Sequence, residues 1–390
     1  MSNACPLPLV LVLALGSGVL TSGCDLANED LAIVPRAGAG AGINNRLSLT
    51  FNTNAWVSAA ARDVHEYWLS SPGPTNTYGY QTRLQTLTLN SPTYDFLETN
   101  VIDGSTVGDK TMALSDSEEL GLELTGPGAA PVLLKGADLV GLELGLWVVG
   151  AGSPGHEVRL RITAHALDAA NNPCFELTKI DPTTGDAIAP LCEDDVNGDN
   201  FARIYNGISI DGQTGEITDL GQGTMHHIAC MASAPGKATR FGYAPRPDLQ
   251  VFELANRVIR ADYCADGHPY TYPGNLLGIQ DNLPLVPGQP GPEEPTPTQP
   301  TTVEAIWGPQ GVLCMGTPRS PHLQGIEVVC PVKHHENGTI DYNWKPPACE
   351  GFIDPNPNAL RMISTTDPTA YDGILFEPAP EDDDDDDDGQ

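Results

Sequence analysis

The sequence predicts a mainly β protein of the α+β class, with antiparallel sheets of short strands, one amphipathic helix near 249–262, and disulfides that staple the fold. Segments of alternating apolar and polar residues recur about every ten residues, separated by Asp, Gly and Pro turns. Residues 249–262 are the exception, because their apolar residues fall at helical spacing. The third observation is that most of the nine cysteines lie between residues 174 and 349, at spacings typical of disulfides.

The N-terminus has the pattern of an export signal. The first 24 residues carry no charged side chain, and the apolar run from Leu7 to Leu20 suits a secretory segment but is too short to span a bilayer. Small residues precede Cys24, as in bacterial lipoproteins, so we expect residues 1–23 to be a signal peptide and Cys24 to carry a lipid. Ordinary cleavage after Gly23 is the alternative, and it would yield a secreted protein.

Residues 24–45 are predicted to be a flexible tether. The alternating Ala and Gly residues of 37–42 offer no side chains that could pack against a core. An anchored domain needs such a spacer to clear the membrane surface. Through the lipid on Cys24, a membrane is the expected partner of the chain, and the sequence identifies no protein or envelope component that it binds.

Residues 46–150 are predicted to be an N-terminal region rich in strands. Alternation indicates strands near Leu47 and at 86–89, and the closely spaced glycines of 131–149 favour strands over a helix. A short helix is expected over 54–68, because an Asn at its start can cap an apolar stripe.

Residues 151–283 carry the clearest strand pattern. Apolar and polar residues alternate over 158–164, and two further strands, 175–180 and 204–210, each end in an Asp/Gly turn. The amphipathic helix at 249–262 lies near the C-terminal end of this region.

Composition divides the remainder of the chain into three segments. Residues 284–302 hold seven prolines among Glu, Thr, Gln and Gly, which predicts an extended, solvated linker. Residues 303–376 predict a small cysteine-containing module that packs on the main domain, because it has too few large apolar residues to fold alone. Residues 377–390 predict a disordered acidic tail. Weak binding of divalent cations and docking of a basic partner are the alternatives for this tail.

The charge of the chain excludes one class of partner. Acidic residues outnumber Lys and Arg by 51 to 19, and the formal net charge is −32. Such a surface repels the phosphates of nucleic acids, and no Lys/Arg cluster interrupts it. We therefore expect no nucleic-acid partner.

The cysteines are expected to form disulfides rather than a metal site. None belongs to a Cys-x-x-Cys pair or lies at zinc-ligand spacing from a histidine. Once Cys5 has left with the signal peptide and Cys24 is lipidated, an odd number remains, so one thiol is free, pairs between chains, or pairs with Cys24. Four precede the proline-rich linker and three follow it, which allows a bridge across that linker. The candidates are Cys174, Cys192, Cys230, Cys264, Cys314, Cys330 and Cys349.

A set of short motifs surrounds the tetrad Ala261-Asp262-Tyr263-Cys264. In chain order, the others are Pro190-Leu191-Cys192, Ile228-Ala229-Cys230, Phe241-Gly242-Tyr243-Ala244-Pro245, Trp307-Gly308-Pro309 and Val312-Leu313-Cys314. Together they resemble the ADYC-domain family of uncharacterised exported bacterial proteins over residues 130–350. The resemblance implies a fold class and an exported setting, and it supplies no catalytic residue.

Two positions depart from the family pattern. Family members commonly carry one cysteine before the Gly-Tyr motif and another before the helix that leads into the tetrad, where this chain has Ala238 and Ala255. The joint loss implies that the two cysteines form one bridge in other members, and that this bridge is missing here.

The best metal-like string begins at Asp195. Asp195, Asn197 and Asp199 match the start of a calcium loop, but Asn200 stands where that loop needs Gly, and Asn206 where it needs an acid. We interpret the string as an acidic turn. A calcium-dependent adhesion module is the weakest alternative for the protein, and no other cofactor is expected.

Two histidine pairs, His226-His227 and His334-His335, are of a kind that can bind metals. Neighbouring residues on a strand point to opposite faces, so such a pair rarely serves one ion. No Cys or acidic residue lies near either pair at ligand spacing. We therefore expect neither pair to be a metal site.

No catalytic motif stands out, since the chain has no Gly-x-Ser-x-Gly, His-Glu-x-x-His or phosphate-loop sequence. The remaining candidate is the tetrad region, where Asp262, Asp266 and His268 lie near two arginines. These residues could form the polar site of an exported hydrolase. Alternatively, Asp262 pairs with an arginine, Cys264 staples the helix, and the Asp266 segment is a turn. We favour the second interpretation and expect an envelope-anchored ectodomain that is non-enzymatic and acts in binding or surface structure.

Overall fold

The structure is a computed structural model that describes most of the chain between residues 46 and 366. The described residues are 46–48, 55–70, 72–91, 93–115, 120–167, 172–194, 200–246, 248–271, 277–281, 302–320, 323, 325–356 and 359–366. The predicted signal peptide, Cys24 with the predicted tether, the proline-rich residues 282–301 and the acidic residues of the predicted tail lie outside them. So do Asp195, Asn197 and Asp199 of the calcium-like string.

The mainly β class is confirmed, because the described residues form twenty-two strands and two α-helices. Strand pairing is antiparallel throughout, apart from one short parallel contact. The strands are β1 (Arg46–Ser48), β2 (Glu66–Trp68), β3 (Tyr80–Ser91), β4 (Tyr94–Asn100), β5 (Thr106–Val107), β6 (Thr111–Leu114), β7 (Gly121–Thr125), β8 (Val132–Lys135), β9 (Leu142–Gly150), β10 (His156–Leu167), β11 (Pro173–Ile180), β12 (Ala187–Pro190), β13 (Phe201–Asn206), β14 (Ile208–Ile210), β15 (Ile217–Asp219), β16 (Met225–Cys230), β17 (Leu277–Asp281), β18 (Thr302–Gly308), β19 (Gly311–Met315), β20 (Cys330–His334), β21 (Ile340–Trp344) and β22 (Met362–Thr366). The helices are α1 (Ala234–Arg240) and α2 (Leu249–Arg260).

The largest sheet has ten strands in the order β2-β16-β13-β11-β10-β9-β3-β4-β5, with β12 paired to β11. Strand β2 also pairs with β3 in parallel, at Trp68 and Arg83, so seven of these strands close into a ring. Alternate residues of β9, including Leu142, Leu144 and Leu146, are fully buried in the core. This period of two is what a strand with one buried face requires.

The amphipathic helix is confirmed as α2. Asp248 caps its N-terminus by accepting hydrogen bonds from the amides of Gln250 and Val251, and Ala261 ends it with a left-handed φ of 53°. A further helix, α1, precedes α2 and was not identified from the sequence. Helix α1 has only seven residues, and its first turn contains a proline and a glycine. Both residues have low helix propensity, so the sequence did not indicate a helix there.

The prediction of a helix over 54–68 is wrong. Among the described residues of this stretch, only a 3₁₀ turn forms, at Ala59–Ala61, and the chain then enters β2. Val64 of the expected apolar stripe is buried, but it lies just before β2 rather than on a helix face, and Tyr67 is buried within β2. Tertiary pairing has overridden the local pattern here.

A second sheet unites the two ends of the described chain. Its strand order is β1-β17-β22-β18-β19, so strands after the proline-rich linker pair with strands before it. Three smaller sheets, β6-β7-β8, β14-β15 and β20-β21, complete the fold.

Three disulfides join described cysteines: Cys192–Cys230, Cys264–Cys330 and Cys314–Cys349. The Cys264–Cys330 bond spans the proline-rich linker, as the distribution of cysteines allowed. Cys174 is also disulfide-bonded. Disulfides persist in oxidising surroundings, so they indicate an extracytoplasmic location. Among the described residues, no helix combines the length and apolarity needed to cross a membrane.

Candidate functional site

Asp262 is the centre of the tetrad region and is fully buried. Its Oδ2 accepts a hydrogen bond from Nη1 of Arg257 at 2.7 Å. Its Oδ1 accepts from the backbone amides of Asp266 and Gly267, at 3.1 and 3.2 Å. Arg257 also reaches Glu253 at 2.7 Å. Burial opposes the charge on Arg257, but the carboxylates of Asp262 and Glu253 outweigh that cost and raise the pKa of Arg257.

Tyr263 links the tetrad to the second sheet. Its hydroxyl donates to Oε1 of Glu304 at 2.6 Å, and its ring stacks on Trp307 with ring centroids 5.3 Å apart. Burial, reinforced by the neighbouring Glu304 carboxylate, raises the pKa of Tyr263. Arg319 pairs with the same Glu304 oxygen at 2.6 Å and donates to the carbonyl of Val258 at 2.6 Å. The last carbonyls of α2 are therefore satisfied by a residue from beyond the linker.

Arg260 and Gly267 fix the turn that follows the tetrad. Arg260 donates from Nη2 to the Gly267 carbonyl at 2.6 Å and lies 4.2 Å from the centre of the Trp56 ring. Burial lowers the pKa of Arg260 to about 10. Gly267 has a φ of 86°, and any Cβ there would collide with the backbone of Gln213.

The structure separates the three residues proposed for hydrolysis. Asp262 is buried and bonded internally, whereas Asp266 and His268 are exposed. Asp266 accepts from the His268 backbone amide at 3.0 Å, and the His268 ring packs against Tyr270. Each has an ordinary structural contact, which supports the interpretation of this region as a structural turn.

A pocket of about 330 Å³ opens between β3, β4 and β6. Its lining includes Leu84, Leu87, Met112 and Leu114 and contains no acidic, basic, histidine or cysteine side chain. The hydroxyls of Thr99 and Thr111 in this lining therefore have no acid–base side chain beside them in the pocket that could activate them.

A second polar cluster, here called the histidine cluster, consists of His65, Glu66 and His227. Strands β2 and β16 pair so that Glu66 lies directly opposite His227. Each residue offers one ligand atom, and these three atoms lie within 4.8 Å of one another. The rings of His65 and His227 meet edge to face, with centroids 5.4 Å apart.

The hydrogen bonds place a proton on Nδ1 of both histidines. Nδ1 of His65 lies 3.1 Å from the carbonyl oxygen of Arg62, and Nδ1 of His227 lies 3.4 Å from Oε1 of Glu66. Both oxygens are acceptors. Nδ2 of Asn76 also faces Nδ1 of His65, but at the longer distance of 3.5 Å. In the neutral ring of His65, Nε2 therefore presents a lone pair. Neither Nε2 has a hydrogen-bond partner, although both are buried.

Glu66 is held as a carboxylate at this cluster. Its Oε1 accepts from Oγ of Ser209 at 2.7 Å and from the Ile210 amide at 3.0 Å. Burial acts to raise its pKa, but the hydrogen bonds from His227 and Ser209 oppose burial, and the pKa of Glu66 is lowered. Burial lowers the pKa of His65 to about 4, so His65 is neutral at neutral pH.

The neighbouring His226 points away from the cluster. Its Nδ1 lies 2.9 Å from the hydroxyl of Tyr67, and burial lowers its pKa to about 3. The expectation that the two histidines face opposite ways is confirmed. The other pair is separate, and His335 contacts Asp341 at 3.0 Å.

Sequence reasoning did not find the histidine cluster. His227 lies 161 residues from Glu66, and the stretch containing His65 and Glu66 was expected to be helical. Only the correct pairing of β2 with β16 could have brought them together, and nothing local in the sequence indicates that pairing.

The comparisons with known proteins agree with the motifs around the tetrad. Residues 136–321 match the ADYC domain family, a range that includes the tetrad, α2 and the strands on both sides of the proline-rich linker. No curated protein and no solved structure matches the chain. The resemblance of the tetrad motifs to the ADYC domain family is therefore confirmed over residues 136–321.

Proposed function

We propose that this protein is a non-enzymatic ectodomain of the bacterial cell envelope, exported and anchored by a lipid on Cys24, that acts in binding or surface structure. The observation that carries the proposal is that side chains of the tetrad are bonded to other residues of the same chain. Asp262, Tyr263 and Cys264 bond to α2, to Glu304 and to Cys330. The contacts of Tyr263 and Cys264 join segments on either side of the proline-rich stretch, and a group so engaged is not presented to a substrate.

The disulfides and the N-terminal pattern support the envelope location. The three described bonds require an oxidising compartment, and the apolar run ending before Cys24 is of the kind that directs export. A membrane is then a partner through the lipid, and the domain carries the specificity for its own binding partner.

Mass spectrometry of the protein from its native membrane tests the anchor. We expect acyl mass on a peptide that begins with Cys24. The sulfur of Cys24 can form either a thioether to lipid or a disulfide. A peptide in which Cys24 is disulfide-linked to Cys174 would therefore overturn the lipid anchor and indicate a secreted protein with a fourth internal bridge.

Hydrolysis assays test the non-enzymatic proposal against an exported hydrolase. Purified protein is assayed with chromogenic esters, phosphate esters and a peptide library, beside a variant that carries Asp266→Ala and His268→Ala. We expect no turnover above that of the variant. Turnover by the wild type that the stable double variant loses would establish the hydrolase instead.

A further inference from the structure

We propose that His65, Glu66 and His227 form a binding site for one divalent metal ion of the zinc class. Two nitrogen donors and one carboxylate are a ligand set that zinc and its neighbours in the transition series accept. Calcium and magnesium, by contrast, prefer all-oxygen sites. The site goes beyond the envelope role proposed above and does not depend on it.

The first observation is geometric. A tetrahedral ion with bonds of about 2.0 Å sets neighbouring ligand atoms about 3.3 Å apart. The three candidate atoms already lie within 4.8 Å of one another. Side-chain adjustments on the order of 1 Å are therefore enough to close the site around an ion, and no backbone rearrangement is needed.

The second observation is an unpartnered lone pair at the site. Nε2 of His65 is buried and has no hydrogen-bond partner. Buried polar atoms without partners are uncommon in folded proteins, because each loses its hydration. A Lewis acid would satisfy this lone pair.

The third observation is the arrangement behind the ligands. Histidines that bind metals usually donate their other ring N–H to a carbonyl or a carboxylate, which fixes the tautomer and the ring orientation. His65 makes such a bond to the Arg62 carbonyl. The His65 ring is thus oriented as metal-binding histidines are, and Nδ1 of His227 lies on the Glu66 side of the site, 3.4 Å from Oε1.

Charge also favours a cation. The Glu66 side chain is only 11% exposed, and His227 is its ionic partner among the described residues. No Lys or Arg in that part of the chain pairs with it. A bound divalent ion would neutralise this carboxylate. Because the site is closed by β2 and β16, the ion would hold these two strands together.

Metal titration of chelator-treated full-length protein tests the site. Excess Mg²⁺ is present throughout to compete with Zn²⁺ for weak carboxylate sites such as those of the acidic tail. Mg²⁺ prefers oxygen ligands, so it does not compete for a site that contains nitrogen. Binding of Zn²⁺ is measured with a competing fluorescent indicator, and the stoichiometry by elemental analysis. We expect one Zn²⁺ per chain. If no Zn²⁺ remains bound to the protein in excess Mg²⁺, the proposal is overturned.

The variants are chosen as a matched set. His227→Gln and His65→Gln each remove a ligand, and we expect the affinity for Zn²⁺ to fall more than about 100-fold. His226→Gln is the control, because His226 is the adjacent buried histidine on the same strand but faces Tyr67. We expect its affinity to stay within about threefold of the wild type. Equal affinities in His227→Gln, His65→Gln and the control would overturn the site.

Glu66→Gln provides a readout if a histidine variant fails to fold. It keeps the shape of the side chain and an oxygen for Ser209 and Ile210, but it removes the charge. With Co²⁺ as the probe, we expect visible absorption bands of a low-coordinate nitrogen–oxygen site in the wild type and altered, weaker bands in Glu66→Gln. Identical Co²⁺ spectra would exclude Glu66 and contradict the proposed three-residue site.

Discussion

Asp262 of the tetrad and the histidine cluster are both buried and polar, yet they differ in how their atoms are satisfied. Both carboxylate oxygens of Asp262 accept hydrogen bonds from within the chain. At the histidine cluster, Nε2 of His65 and Nε2 of His227 have no hydrogen-bond partner. A satisfied polar group stabilises one arrangement of the fold, whereas an unsatisfied one is open to an additional ligand.

Removal of the Asp262 carboxylate should have the largest effect, because it leaves Arg257 buried beside an empty position and frees two backbone amides. We expect Asp262→Ala to lower the free energy of unfolding by about 3–5 kcal/mol. Urea denaturation measures the loss. Asp266→Ala is the control, since its exposed carboxylate should matter by less than about 1 kcal/mol. Equal stability of the two variants would contradict the structural role of the tetrad.

Loss of the Cys264–Cys330 disulfide should follow in size. The double substitution Cys264→Ser/Cys330→Ser is expected to cost about 2–4 kcal/mol. The Cys314–Cys349 bond closes a shorter loop, with a sequence separation of 35 instead of 66. Removing it should cost about 0.6 kcal/mol less. Differential scanning calorimetry compares the two double variants. A larger loss of stability on removing Cys314–Cys349 would contradict the greater contribution expected from the Cys264–Cys330 bond at the tetrad.

Acid should destabilise the protein through two buried histidines, His65 just before β2 and His226 in β16. Burial lowers the pKa of His65 from 6.5 to about 4 and that of His226 from 6.5 to about 3. Below pH 6.5 the unfolded chain therefore binds protons that the folded chain does not. Stability is present above pH 6.5 and is lost as the pH falls, by about 1.4 kcal/mol per pH unit for each histidine.

Urea denaturation of the metal-free protein between pH 7.5 and pH 5 measures this slope. His226→Gln should retain the contribution of His65 alone and show about half the slope between pH 6 and pH 5. A flat profile in the wild type would mean that these histidines are not held in the neutral form.

The smallest effect is expected at His268. Its side chain is exposed and contacts Tyr270 through one ring face. We expect His268→Ala to change the free energy of unfolding by less than about 0.5 kcal/mol. A larger loss, measured by the same denaturation, would show that the turn after the tetrad depends on this ring.

Local features of the fold could be predicted from the sequence, and long-range ones could not. Helix α2 was predictable because its apolar period, its Asp248 cap and its end before the tetrad all lie within a few residues of one another. Strand β2 was not, because its three residues gain their structure from β16 and β3. The same limit hid the contact of Glu304 with Tyr263 and Arg319 across the proline-rich linker.

The candidate sites follow the same rule. The tetrad drew attention because five ionisable groups are close in sequence, and its internal bonding became visible only with the partners from distant segments. The histidine cluster requires strand pairing between residues 161 apart. Histidine pairs on a strand were correctly expected to diverge, but the partner of His227 was not local.

Unfolding of the metal-free protein with and without Zn²⁺ tests the contrast between the two regions most directly. At a Zn²⁺ concentration 100 times the dissociation constant, binding should stabilise the wild type by about 2.7 kcal/mol. We predict that Asp262→Asn lowers the starting stability but keeps this increment, whereas His227→Gln loses the increment. A wild type indifferent to Zn²⁺, or an equal increment in both variants, would contradict the account.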